Sequence, residues 1–269
     1  MVLTVIELSL ASLVLLWLFL AAPAARRQKG MEAASVSYAH RGLHGEGAPE
    51  NSLSAFRRAI ERGCGIELDV QLSRDGVPIV FHDETLSRAC GDARRATDLT
   101  AAELADLRLF GGEEQIPTLA EVLALVGGRV PLLIELKYYR DPVGTAKETA
   151  ALLDGYEGRY AVQSFHPLAL RWFRKNRPET ARGLLAMSFL KKREGRRPYD
   201  IALHLFLTNF LSRPDFIAYD VRDTRCLPYR LLLRIFRPAV LGWTARGKER
   251  APGFGAYIFE EAADGREGE

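Results

Sequence analysis

The sequence predicts an α/β chain: a (β/α)8 TIM barrel with an insertion after its second strand, preceded by one N-terminal transmembrane helix. Three observations carry that expectation. From about residue 35 onward, short β-branched or apolar runs alternate with helix-length segments, the habit of a fold that repeats strand and helix. The runs number one more than a barrel holds, and the tight turn Ser73-Arg74-Asp75-Gly76 accounts for the excess. Ahead of them lies an apolar stretch of membrane-spanning length.

That stretch is LSLASLVLLWLFLAAPAA, residues 8–25, and Arg26, Arg27 and Lys29 follow it at once. Positive charge marks the cytoplasmic side of a membrane helix, so the rest of the chain is expected there, behind a single-pass anchor. Three separated cysteines, Cys64, Cys90 and Cys226, agree with a reducing compartment, because they offer neither an even disulfide set nor a CxxC zinc spacing. A cleaved signal peptide, and hence secretion, is the alternative. Small residues surround Ala22-Pro23-Ala24, but the basic region that opens a signal peptide is missing.

The candidate strands follow in order. VSYAH (36–40) comes first, and Asn51 or Ser52 then N-caps a helix running through Phe56 and Ile60. GIELDVQL (65–72) is joined to VPIVFHD (77–83) by the Asp-Gly turn, which connects antiparallel neighbours and never parallel ones. VPIVFHD is therefore a hairpin excursion. It continues through the polar residues 84–117, with one helix in TAAELADLRLF, until Pro117-Thr118-Leu119 opens the next barrel helix. PLLIELK (131–137), YAVQSFH (160–166), ARGLLA (181–186), FIAYD (216–220), AVLGWTA (239–245) and AYIFE (256–260) complete the eight. The domains read as 1–30, membrane anchor and basic flank; 31–260, barrel with an insertion at about 73–117; and 261–269, polar tail.

Composition agrees with one large globular domain or two small ones: 269 residues, 48% hydrophobic and 26% charged. A net charge of +3 is too small for a nucleic-acid footprint over the whole chain.

Active sites of such barrels lie at the C-terminal ends of the strands. His40 and Arg41 end the first strand. Glu67 and Asp69, one residue apart on the second, leave the same face about 7 Å apart. Glu135 and Lys137 repeat that spacing at the end of PLLIELK, so three carboxylates converge. Like charges raise one another's pKa unless a cation neutralises them. Oxygen ligands select magnesium, calcium or manganese over zinc. His82, followed by Asp83, supplies a second imidazole. Such a set suits phosphodiester cleavage, in which the metal polarises the phosphoryl oxygens, Arg41 neutralises charge and the imidazoles move protons. Plainer roles stand beside these. Glu67 and Asp69 could pair with Arg41 and Lys137, and Lys137 could serve only as the counter-ion of Glu135. His44 reads as a solvated loop residue or a pocket-lining one, and His204 as a packing histidine.

At these residues the chain resembles the glycerophosphodiester phosphodiesterases. The matching features are His40-Arg41-Gly42, Pro49-Glu50-Asn51-Ser52 with Ala55-Phe56, Ile66-Glu67-Leu68-Asp69-Val70, Arg74-Asp75-Gly76, His82-Asp83 with Leu86 and Arg88, and Ile134-Glu135-Leu136-Lys137. Beyond residue 140 the likeness rests on Gln163-Ser164-Phe165 and Gly242-Trp243-Thr244. The resemblance implies a (β/α)8 barrel and metal-dependent hydrolysis of glycerophosphodiesters to an alcohol and glycerol 3-phosphate, in phospholipid metabolism. It implies His40 and His82 as the acid/base pair, and Glu67, Asp69 and Glu135 as ligands of one divalent cation. Arg41 and Lys137 become phosphate contacts, with Glu50, Asn51 and Trp243 on the substrate side. In the mechanism it implies, a glycerol hydroxyl attacks phosphorus, and water then opens the cyclic phosphate. Two positions depart from the pattern: His166 stands where Asp or Asn is more common, and Trp243-Thr244-Ala245-Arg246 lacks a polar residue after Trp-Thr. Both bear on substrate choice.

The alternatives are a lysophospholipase D or phospholipase-like phosphodiesterase acting on intact lipid, and a non-enzymatic module that binds lipid headgroups. Expected partners are a glycerophosphodiester or lysophospholipid and a membrane, with no nucleic acid. A second membrane contact is expected between Arg171 and Leu211. There Arg174, Lys175, Arg177, Lys191, Lys192, Arg193, Arg196 and Arg197 precede the apolar run IALHLFLTNFL, which otherwise reads as a barrel helix.

Overall fold

The computed structural model describes residues 2–24, 28–191, 198–246 and 253–260. Expectations that fall on Arg26, Arg27, Lys192, Arg193, Arg196, Arg197 and the tail 261–269 lie outside the described residues.

Among the described residues, nine strands form one sheet: β1 (Tyr38–Ala39), β2 (Gly65–Leu72), β3 (Pro78–Val80), β4 (Leu132–Leu136), β5 (Tyr160–Ser164), β6 (Ala181–Ala186), β7 (Phe216–Asp220), β8 (Ala239–Arg246) and β9 (Ala256–Glu260). β1 pairs in parallel with both β2 and β9, so eight strands close a barrel, and β3 hangs antiparallel on β2 with Val70 opposite Val80. The hairpin excursion is as expected.

Strand alternation divides the apolar side chains into two layers. Ile66, Leu68, Val70, Ile134, Leu136 and Val162 face outward and pack with Phe56, Leu119, Val122, Phe173 and Leu232 of the helices. Tyr38, Leu133, Ala161, Leu185, Phe216, Ala218, Leu241 and Ile258 fill the barrel. Full burial of one large side chain is worth roughly 1.5–3 kcal/mol, so the filled barrel is a stiff floor for whatever stands above it.

The insertion has a core of its own, built from Ile79, Phe81, Leu86, Leu99, Leu104 and Leu109. TAAELADLRLF is helical only over Ala101–Ala105, capped by Thr100 and Glu103, and Phe110 sits at φ 53° in a turn, which lets Leu104 and Leu109 both reach that small core. The helix Leu119–Val126 opens on a Thr118–Glu121 capping box and stops at Gly127, whose φ of 52° suits glycine.

Two segments differ from expectation. The supposed basic flank enters a short helix, Gln28–Ala33, under the barrel, with Ala33 and Ala34 joining the interior cluster. It crosses the boundary expected at residue 30: a Cβ on Gly30 would lie 1.9 Å from the Asp215 carbonyl oxygen, so only glycine fits. IALHLFLTNFL is not one helix. It splits into Pro198–His204 and Asn209–Ser212 around Phe206, which is buried at φ 58°. Of its basic companions, Arg174 donates to the Phe210 and Leu211 carbonyls, Arg177 pairs with Asp154, and Lys191 pairs with Asp223.

The N-terminal helix Val2–Ala21 carries an 18-residue window, Thr4–Ala21, of mean hydropathy 2.2 with 6% of it buried. By length and composition it could be a membrane span or a signal sequence.

Candidate active site

The inward phase of β2 places Glu67 and Asp69 on the barrel side, and pairing of Asp69 with Glu135 in register brings the third carboxylate alongside. One oxygen from each lies within 4.8 Å of the others, and all three residues are buried. Lys137 Nζ stands 2.6 Å from Glu135 Oε1 and 2.9 Å from Asp69 Oδ1, although the latter contact lacks hydrogen-bond alignment. The counter-ion role considered from the sequence is thus present, for two carboxylates and not one. Asn51 Nδ2 donates to Asp69 Oδ2 at 2.8 Å, and the Arg41 backbone N–H donates to Glu67 Oε2 at 3.1 Å.

Burial pushes the Glu67 carboxyl well above its usual range, and the Asp69 and Glu135 carboxylates push the same way. Burial acts on Asp69 too, but Lys137, His82 and Arg41 outweigh it and hold that carboxyl well below its usual range. Glu135 is raised by burial despite Lys137. Burial disfavours the Lys137 ammonium, yet Asp69 and Glu135 hold its pKa above the ordinary value. Such a cluster fits a hard divalent cation. The donors are oxygens, the charges repel one another without one, and the buried Gln163 Oε1 beside Glu67 has no hydrogen-bond partner.

Above the carboxylates opens a cavity of about 400 Å³ lined by His40, Arg41, Glu50, His82, Lys137, Gln163 and Trp243 among others. His40 Nδ1 lies 2.7 Å from Glu260 Oε1, and Arg246 Nε donates to the other Glu260 oxygen at 2.8 Å. The His40 hydrogen bond, joined by Arg246, lowers the Glu260 carboxyl to about 2, while burial, opposed by that bond, lowers the His40 pKa. A neutral His40 still donates Nδ1–H to an ionised Glu260, so the two directions are compatible. His82 Nδ1 lies 2.6 Å from Asp83, which Arg88 also holds at 2.7 Å. Glu50 joins Arg88 at 2.6 Å to Arg41 at 2.7 Å.

Eight of the ten residues singled out by sequence line this cavity, and Asp69, at 1% exposure, lies beneath them. Asn51 does not line it: at 2% exposure it sits beneath, bonded to Asp69. Trp243 forms a wall, its ring edge-on to Phe165 at 5.7 Å. His166 caps the helix Pro167–Asn176 and is no part of the lining. His44 lines a second cavity of about 640 Å³ that adjoins the first through Glu50 and Arg88. With His40 and Glu260 it also forms another set of ligand atoms within 4.8 Å. Glu260 went unread in the sequence, although its phase with Ala256 and Ile258 on β9 points it inward.

The pattern of the glycerophosphoryl diester phosphodiesterase family matches residues 40–202. The chain belongs to that family. Among curated members, a glycerophosphodiester phosphodiesterase of Caldanaerobacter subterraneus subsp. tengcongensis is 39% identical over 159 residues, 55% of this chain and 65% of that one. Glycerophosphodiester phosphodiesterase 1 of Homo sapiens is 38% identical over 95 residues, 32% of this chain and 28% of that one. The chain thus spans less than two thirds of either relative's length. Among solved structures, an Oleispira antarctica phosphodiesterase in complex with sn-glycerol-3-phosphate superimposes with a TM-score of 0.68 at 24% identity, over 86% of this chain and 95% of that one. A Thermotoga maritima member does so with 0.61 at 25% identity, over 83% and 93%.

Proposed function

We propose that this family member is a metal-dependent phosphodiesterase that hydrolyses glycerophosphodiesters to an alcohol and glycerol 3-phosphate. One observation carries the reading: three buried carboxylates, two histidines, an arginine and a lysine converge at one barrel mouth. Family membership and the glycerol 3-phosphate bound by the Oleispira relative support the substrate class.

Glu67, Asp69 and Glu135 would hold one divalent cation, magnesium or calcium or else manganese, which when bound polarises the phosphoryl oxygens. Arg41, fixed by Glu50, neutralises phosphoryl charge from the cavity wall. Lys137 donates to Glu135 and forms an ion pair with Asp69, and its remaining N–H groups can meet a phosphoryl oxygen. Glu260 holds Nδ1–H of His40, which leaves Nε2 as the acceptor that takes the proton of the attacking glycerol hydroxyl. His82, held by Asp83, gives a proton to the departing alcohol, and the roles reverse when water opens the cyclic phosphate. Asn51 keeps Asp69 in place, and Trp243 bounds the substrate. The N-terminal helix is a retained single-pass anchor with the barrel in the cytoplasm.

Product analysis tests the reading. Chelator-treated protein offered a panel of glycerophosphodiesters should release alcohol and glycerol 3-phosphate only after magnesium, calcium or manganese is restored. Turnover undiminished by the chelator, or no product with any of the three ions, refutes it.

A further inference from the structure

The apolar helix Val2–Ala21 is built into the barrel at its last turn. Ala21 is fully buried, and the side chain of Asn209 donates to its carbonyl at 2.8 Å. Arg213 donates to the carbonyls of Phe19 at 2.9 Å and Ala22 at 2.8 Å, with its guanidinium 5.1 Å from the centre of the Phe19 ring. Trp17 Nε1 donates to the Leu205 carbonyl at 3.1 Å, and its ring lies 6.3 Å from that of Phe236. The last carbonyls of a helix have no partner within it. Here side chains of the barrel satisfy them, so pivoting the helix breaks several hydrogen bonds at once.

Every one of these contacts falls at the same end of the barrel. Asn209 and Arg213 precede β7, and Phe236 precedes β8. The chain then passes under the strands: Ala24 N–H donates to the Pro214 carbonyl, Lys29 to the Pro178 carbonyl ahead of β6, and Gly30 lies against Asp215. The carboxylates and histidines stand at the opposite end, about 17 Å away along a five-residue strand. Residues 4–16 of the helix are all exposed. A helix that turned back toward the mouth would lie along the barrel wall and bury some of them.

We propose that this joint fixes the barrel with its catalytic mouth turned away from the bilayer that the helix enters. Substrates are then diesters dissolved in the aqueous phase, not lipids in the plane of that bilayer. The proposal rests on the reading of the site as a phosphodiesterase and of the helix as a retained anchor. Cleavage near Ala22-Pro23-Ala24 would remove half of a built contact. The run IALHLFLTNFL supplies Leu205 and Asn209 to the joint, which gives its polar and apolar groups a use within the protein.

The test uses full-length protein in lipid vesicles, its helix verified by intact mass. Cys64, Cys90 and Cys226 are replaced by serine, and one fluorophore is placed at Glu157→Cys, exposed just ahead of β5, or at Glu113→Cys, exposed on the insertion beside the mouth. With the two sites separated by about 17 Å of strand, energy transfer to an acceptor on the lipid headgroups should fall by more than half from Glu157 to Glu113. Equal transfer, or stronger transfer from Glu113, overturns the proposal, as does a mature chain lacking the helix. The double variant Asn209→Ala, Arg213→Ala should stay with the vesicles, keep its turnover of a dissolved diester and lose the difference in transfer. A difference that survives shows that the joint does not set the pose. Wild-type protein should hydrolyse a dissolved glycerophosphodiester in vesicles as fast as in detergent and leave a lysophospholipid of the same bilayer intact. Hydrolysis of that lipid overturns the proposal. Failure to hydrolyse any diester, with the transfer difference intact, overturns the phosphodiesterase reading and leaves the pose standing.

Discussion

Lys137→Met removes the ammonium that stands between Asp69 and Glu135 while preserving the length of the side chain. Lys137 is 4% exposed and lies 2.9 Å and 2.6 Å from the two carboxylates, so its loss leaves Glu135 without its ion-pair partner and Asp69 with the longer contact to Arg41 at 3.4 Å. Removing one partner of a buried ion pair costs about 3–5 kcal/mol. A domain of this size loses roughly 2–4 °C in Tm per kcal/mol, so the metal-free variant should melt at least about 6 °C below wild type. A divalent cation, if held by Glu67, Asp69 and Glu135 as proposed, would replace the missing charge. At 100 times Kd it adds about 2.7 kcal/mol to any protein that binds it only when folded. The variant should gain more, because binding there also relieves the repulsion. Differential scanning calorimetry on chelated and magnesium- or calcium-loaded samples reads both shifts. Melting within about 2 °C of wild type without metal, or a metal-induced shift no larger than that of wild type, would refute the electrostatic account of the cluster.

His40→Ala and Glu67→Ala should each abolish turnover, on the order of 10²- to 10⁴-fold for loss of an acid/base group; excess metal should not restore His40→Ala, and a residual activity of more than a few per cent in either speaks against the roles given. Glu260→Gln should lower kcat while leaving KM nearly unchanged, since the amide no longer fixes which His40 nitrogen carries the proton, and Glu260→Asp should recover part of the loss; equal effects on kcat and KM would point to a merely structural carboxylate. For the metal-free protein, burial raises the folded-state pKa of Glu67 well above its ordinary value of 4.5. Between that value and the raised one the folded state binds more protons than the unfolded, so stability should fall as pH rises through this window, and a bound divalent cation should flatten the slope. A metal-free Tm that instead climbs over that window contradicts the repulsion inferred for the cluster.

The carboxylate pairs were legible because strand alternation is local: one intervening residue places Glu67 beside Asp69, and Glu135 beside Lys137, whatever the rest of the chain does. The Asp-Gly turn marked the hairpin for the same reason. What escaped notice depends on long-range closure. Glu260 meets His40 across 220 residues because β9 pairs with β1, and nothing near either residue announces it. Asn51 sits in a loop motif that the family resemblance puts on the substrate side, yet its left-handed backbone, φ 56°, turns the amide down onto Asp69. The flank expected up to residue 30 reads as charged and unpacked because the cue that its end packs is a single glycine, Gly30, whose need appears only against Asp215. IALHLFLTNFL has the composition of one helix. Burying Phe206 and presenting Asn209 to Ala21 breaks it in two.

The central claim is that one divalent cation belongs to Glu67, Asp69 and Glu135. The most direct measurement is anomalous diffraction from crystals grown with manganese. One peak is predicted, bound by oxygens of these three residues at about 2.0–2.4 Å. A peak at His40, His44 and Glu260 instead, or none at the three carboxylates under saturating manganese, would contradict it.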